Sequence, residues 1–252
     1  AYVAQGEAHV AASAPDDLET PIRLRIEVPQ GKRGYSALPD AVVAVPVEEL
    51  VEDLPDTLLE QPEDAEQTPA QSRRNETPFR FEPLVREWRY RITPPAGFRA
   101  APLPPSEVIP LGLGRLSKSF AVETNGVVTA YLRFESGNGS LSASEVQTMR
   151  RAIAALRDSP NLLIRFENIG EAHLAAGRYK QAFAEFRRTV NLHPKEALHL
   201  AQLARALAEQ GLGESARQMA TEAVALEPQS AVAQRLRGTV LMYDLAGNFA
   251  SP

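Results

Sequence analysis

The sequence predicts an α+β multidomain chain in which an antiparallel β-sandwich is followed by an α-helical repeat solenoid. Three observations carry this. The stretches ending at Pro194 and Pro228 superpose position by position, without a gap, across a spacing of 34 residues. Ahead of them, apolar and polar residues alternate with a period of two, the signature of half-buried strands. Between two of these alternating runs lies Asn125-Gly126, the strongest short hairpin signal.

In chain order, Ile22, Leu24, Ile26 and Val28 alternate with Arg23, Arg25 and Glu27, which predicts a strand with one buried and one wet face. Glu48, Glu49, Glu52, Asp53, Asp56, Glu60, Glu63, Asp64 and Glu66 then fall in a stretch free of Lys and Arg that runs into the polar tract 67–77. These carboxylates lack the alternating ligand spacing and central Gly of a calcium loop, so residues 48–77 read as a solvated, partly disordered acidic loop. Trp88, Tyr90 and Ile92 alternate with Glu87, Arg89 and Arg91 in a second strand. Pro94, Pro95, Pro102, Pro104, Pro105 and Pro110 fall between strands, where a missing amide hydrogen costs no ladder bond. Gly112 and Gly114 lack the Lys-Thr end of a phosphate loop and read as a turn. Phe120 and Val122 lead into Asn125-Gly126, and Val128, Ala130, Leu132 and Phe134 return on one face.

Ser142 with Glu145 forms a capping box that opens a helix from Ala143 to Arg157, with Val146, Met149, Ile153 and Leu156 as its apolar stripe. Ser159-Pro160 joins it to the repeats. There, Phe166, Ile169, His173 and Ala176 lie three or four apart and predict one helix over Ile164 to Ala176, ended by Gly177. Ala182, Phe183, Phe186 and Val190 form the stripe of a second helix over Tyr179 to Leu192, closed by Pro194. The unit from Ala197 to Pro228 repeats the arrangement. A third begins at Ala231, with Gly238 and Leu241 eight and eleven positions in, and stops before a second helix, which predicts either a terminal capping helix or, favoured by the missing N-terminal Met and the abrupt end, a chain cut from something longer. The expected domains are 1–137 (β-sandwich), 138–160 (connecting helix) and 161–252 (repeats 163–196, 197–230 and a partial 231–252).

These residues resemble the tetratricopeptide repeat. Phe166, Ile169, Gly170, His173, Tyr179, Ala182, Phe186 and Pro194 stand at that family's positions in the first unit, and Leu200, Leu203, Ala204, Leu207, Ala216, Ala220, Ala223 and Pro228 in the second. The resemblance places His173 in the core, whereas His193 and His199 flank the turn between units and are expected to be exposed. Helical hairpins of this kind cannot bury their apolar faces alone and stack on neighbours. The order DDLETPIRLRIEVP, EWRYRITPPAGFRAAPLP, LSKSFAVETNGVVTAYLRFESGNGSLSASEVQTMRRAIAAL and then repeats is similar to the C-terminal part of bacterial exported transglutaminase-like proteins. That likeness implies a periplasmic location and a catalytic core upstream.

Composition narrows the function. The chain has 252 residues, 44% of them hydrophobic, and no apolar run long enough to span a membrane. A net charge of −5 argues against nucleic acid. The absence of Cys removes thiolate nucleophiles, thiolate metal sites and disulfides. No Gly-x-Ser-x-Gly elbow occurs, and none of His9, His173, His193 and His199 has a helical metal-binding partner four residues away, so neither catalysis nor a cofactor is expected. The expected function is non-catalytic binding of a protein or peptide. In the repeat family's geometry the groove is lined by Ile164, Glu167, Glu171 and Leu174 of the first unit and Leu198, Ala201, Arg205 and Ala208 of the second. Glu167 and Glu171 would repel a terminal carboxylate, whereas a basic or dipolar segment suits Glu167, Glu171 and Arg205 together. Two alternatives stay open: an accessory region of a transglutaminase-like enzyme, and a structural module that self-associates through the unfinished third unit.

Overall fold

The computed structural model describes residues 9–12, 24–27, 34–37, 39–60, 78–137, 139–159 and 162–249. Ile22, Val28, the tract 61–77 and Pro160, to which sequence expectations attach, lie outside them.

Strands β1 (His9–Ala12) and β2 (Leu24–Glu27) pair antiparallel. β3 (Gly34–Ser36) and β4 (Asp40–Val45) form the next antiparallel pair. A 3-10 turn, Glu48–Leu50, and the short helix α1 (Asp56–Leu59) come next. This corrects the expectation of a solvated loop from residue 48: Leu50, Val51, Leu54 and Leu58 are buried in the main core. The carboxylates stand on the outside of this segment, and Arg86 and Arg150 tie Asp53 and Glu60 down as ion pairs. Charge had masked an apolar helical spacing beneath it.

β5 (Phe79–Arg80), β6 (Val85–Ile92), β7 (Phe98–Ala100), β8 (Glu107–Leu111), β9 (Gly114–Val122) and β10 (Val128–Glu135) follow. β6, β10, β9 and β8 make one antiparallel sheet in that order. Leu111 pairs with Gly114 across the expected turn, and Val122 with Val128 across a five-residue hairpin loop that contains Asn125-Gly126. Alternation along β10 is clean: Val128, Ala130, Leu132 and Phe134 are buried. On the opposite face Glu87 accepts from Tyr131 Oη at 2.7 Å and pairs with Arg133, and Arg91 pairs with Glu123 at 2.7 Å. These donors hold the Glu87 and Glu123 carboxyls below their ordinary pKa, Glu87 through Tyr131 first and Glu123 through Arg91.

After β11 (Ser140–Leu141), helix α2 (Ala143–Arg157) opens with the expected capping box, Ser142 accepting from the Glu145 amide and Glu145 accepting from that of Ser142. Val146, Met149 and Ile153 of α2 lie in the same core as the sheets, so α2 is part of the β region rather than a connector.

The largest departure comes next. Residues Leu162–Asn168 form strand β12, not the first turns of a helix, and helix α3 spans only Ile169–Ala175. β12 pairs with β4 from Leu162↔Val45 to Glu167↔Asp40 and with β7 from Phe166↔Ala100 to Asn168↔Phe98, giving the sheet order β3-β4-β12-β7. The segment has two periodicities. Phe166 belongs to a helical stripe with Ile169 and His173, but it also alternates with Ile164 and Asn168, all three buried, against Arg165 and Glu167. Two flanking strands that offer ladder bonds to both edges decide in favour of β. The boundary between sheet and helices therefore falls at Asn168 rather than near 161. There the Asn168 side chain accepts from the Glu171 amide at 3.0 Å, its own amide donates to Pro39 O, and that of Ile169 donates to Gly97 O, both at 2.9 Å.

The remaining helices are α4 (Tyr179–Leu192), α5 (Ala197–Glu209), α6 (Gly213–Leu226) and α7 (Ala231–Leu241). α3 packs on α4 through Gly170, where a β-carbon would clash with the Phe186 ring. α4 also touches the β region, because Thr189 packs on Gly97, which has φ +77° in the turn that leads into β7. α5 is buried almost all round by α4, α6 and α7, and His199, expected to be exposed, lies inside with Nδ1 3.4 Å from Gln202 Oε1. His173, expected in the core, is half-buried and accepts from Arg178 Nε at 3.0 Å. After α7 the chain turns back: Asp244 accepts from the amides of Ala246 and Asn248, the Tyr243 and Phe249 rings meet at 5.0 Å, and Gly247 sits against the Gly211 backbone.

Because Phe166 is buried in the core shared by the sheets and α2, Phe166→Ala should lose about 3–5 kcal/mol of stability in urea unfolding. Gly170→Ala should lose about 1–3 kcal/mol by forcing the α3–α4 contact apart.

Candidate functional site

The junction at Asn168 fixes the first residue of the site. Asn168 caps α3, so Glu171 stands in its first turn, three residues beyond the sheet, with its backbone held before its carboxylate reaches anything. On α5, Arg205 precedes Glu209 by one helical turn, and its Nη1 donates to Glu209 Oε1 at 3.0 Å. Glu171 and Arg205 occupy the same position in successive units, 34 residues apart, and meet as an ion pair through Arg205 Nη2 and Glu171 Oε2.

A cleft of about 340 Å³ opens at this pair, lined by Glu171, Leu174 and Ala175 of α3, by Tyr179 at the start of α4, and by Arg205, Glu209 and Gln210 along α5 and just past its end. Two carboxylates face one guanidinium, so the cleft carries one net negative charge. The side chains of Glu171 and Arg205 retain only 14% and 23% of their accessible surface. Burial works against the charge on Arg205, yet its hydrogen bond to Glu171 and the fields of Glu171 and Glu209 outweigh it, and the guanidinium is held above its ordinary pKa. Burial pushes the Glu209 carboxyl up, with Glu171 adding to the effect and Arg205 opposing it. Tyr243, from the segment that folds back after α7, is pushed up by burial and by the charge of Glu209.

Among the sequence-predicted groove residues, the structure brings Glu171, Leu174 and Arg205 into the cleft. Ile164 is buried on β12, and Glu167, on the same strand, accepts from Arg99 Nε at 2.7 Å across the β12–β7 ladder. Both were placed by a helix that is a strand here. Ala201 and Ala208 are wholly buried in helix packing, and Leu198 is half-buried outside the cleft lining. Glu171 and Arg205 neutralise each other, and Glu209 remains as the excess charge. Glu209 was legible as the i+4 partner of Arg205, and Tyr179 as the exposed aromatic at the head of α4.

A tetratricopeptide repeat family model matches residues 173–239. The match begins in α3 and ends in α7, so it contains the Arg205 and Glu209 wall of the cleft and excludes β12. No curated protein matches the chain. Among the described residues no group of three or more His, Asp or Glu is placed to hold a metal, and no helix is long and apolar enough to cross a membrane.

Arg205→Met strands the Glu171 carboxylate and should destabilise by about 2 kcal/mol, less than the ~3–5 kcal/mol of a fully buried broken pair because both side chains keep some contact with water. Glu209→Gln separates the charges differently. The folded pKa of Glu209 lies above its unfolded value, so in the native chain this group adds stability as pH falls through the carboxylate range. The variant should be at least as stable as the native chain at neutral pH, and its advantage should shrink in acid. Paired urea titrations at neutral and acidic pH check both outcomes.

Proposed function

We propose that this chain is a non-catalytic scaffold that binds a protein or peptide in the cleft between its first two helical pairs. The observation that carries the reading is the composition of that cleft: one excess carboxylate, Glu209, beside the apolar Leu174 and Ala175 and the exposed ring of Tyr179. Such a surface suits a segment that presents a cationic side chain next to an aliphatic one, and it disfavours a C-terminal carboxylate. The family match supports the class of function, because tetratricopeptide repeats generally mediate contacts between proteins.

In this reading the helices form a short tetratricopeptide solenoid and the sheets a β-sandwich that anchors its first unit. A place beside the catalytic core of an exported, transglutaminase-like protein is supported by the sequence resemblance alone, and sequencing the gene upstream of Ala1 tests it directly.

Selection of a phage-displayed random peptide library on the chain should enrich Lys or Arg adjacent to Leu, Ile or Val. By calorimetry, Glu209→Gln and Tyr179→Ala should each bind the selected peptides about tenfold more weakly. Selected peptides that are acidic, or that bind both variants as tightly as the native chain, would contradict the proposal.

A further inference from the structure

The crossing from one sheet to the other is made by Ala101-Pro102-Leu103-Pro104-Pro105-Ser106, between the end of β7 and the start of β8. The chain bends at Pro102 and then runs to Ser106 with neither helix nor ladder. Each proline holds its φ at about −65°, and Leu103 and Pro104, each followed by proline, are kept out of the helical region, so the stretch takes the polyproline II form. With about three residues per turn, Pro102 and Pro105 fall on one edge of it. Both are exposed, whereas Leu103, on another edge, packs against the main core.

The stretch is fixed at both ends as well as in the middle. The Ala101 amide donates to Arg165 O at 3.0 Å, and Ser106 Oγ accepts from the Phe120 amide at 3.1 Å. A segment already held in an extended proline-rich form loses little conformational freedom when it is bound. Grooves that recognise this form are lined by aromatic rings and admit prolines three residues apart. Cations flank the two exposed prolines on the β7 side: Arg165 is exposed on β12 beside Ala101, and Arg99 keeps 56% of its side-chain surface although it pairs with Glu167. An aromatic groove with an acidic rim is the complement of this surface.

We propose that residues 102–105 dock in the aromatic-lined groove of a polyproline-binding domain on a partner protein, with Pro102 and Pro105 as the inserted residues and Arg165 facing a carboxylate at the groove's rim. Leu103 stays in the chain's own core, so the partner reads the segment from its outer edges alone. The surface shares no residue with the cleft at Glu209.

The probe is an SH3 domain that selects Pro-x-x-Pro ligands, titrated into the isotope-labelled full chain. Binding should saturate, and the amide resonances that shift most should be those of Ala101, Leu103 and Ser106. Pro102→Ala and Pro105→Ala should each weaken binding by about tenfold, and Arg165→Glu by about threefold. Pro110→Ala, which changes an exposed proline of β8, should bind as the native chain does. All four variants should keep the native circular dichroism, because each alters an exposed side chain. No binding to the native chain, shifts centred on the cleft residues instead, or undiminished binding by Pro102→Ala and Pro105→Ala would overturn the proposal. So would a free peptide of residues 99–106 that binds more tightly than the folded chain, because the fold would then hide the segment rather than present it.

Discussion

The arrangement of β12 between β4 and β7 is the constraint on which the other features depend. One strand completes the sheet β3-β4-β12-β7, buries Ile164 and Phe166 in the core it shares with α2 and the second sheet, and passes without a linker into the first helix of the repeats. The hydrogen bonds at Asn168 and Ile169 pin that passage to Pro39 and Gly97. A flexible joint here would let α3 pivot. With the joint fixed, Glu171 is presented at a set height above the sheet, and α4 is held by the packing of Thr189 on Gly97.

The cleft inherits its character from that fixed end. Arg205 lies on α5, which α4, α6 and α7 enclose, so the ion pair with Glu171 bridges a helix anchored to the sheet and a helix anchored in the array. A pair that retains so little solvent gives up hydration on both sides, and its net contribution is more to register than to stability. What it leaves for a ligand is the second carboxylate on the guanidinium, Glu209, whose raised pKa reflects burial that an incoming cation would offset.

Much of the fold is legible in the sequence where one periodicity rules. The β9–β10 hairpin, the capping box of α2, the stripes of α4 to α6 and the 34-residue register follow from local pattern and turn chemistry. Residues 162–168 are not legible in this way, because Ile164, Phe166, Ile169 and His173 satisfy period two at one end and 3.6 at the other; only the ladder bonds of β4 and β7 distinguish them. The same error displaced Ile164 and Glu167 from strand to groove. Ala201 and Ala208 are illegible for another reason: positions within a unit do not reveal that these faces of α5 are covered, which depends on how the neighbouring helices stack. In the segment 48–60 the run of carboxylates on the outside obscures the four-residue spacing of Leu50, Leu54 and Leu58, which are buried in the core.

The most direct test of the junction is native-state hydrogen exchange at the amides of Ile164 and Phe166 in β12 and of Phe186 in α4. If sheet and first repeat are one cooperative unit, these amides open with the same free energy, equal to that of global unfolding. Exchange of Phe186 through a lower-energy opening that leaves β12 protected would show that the repeats unfold independently of the sheet, and would contradict a rigid junction at Asn168.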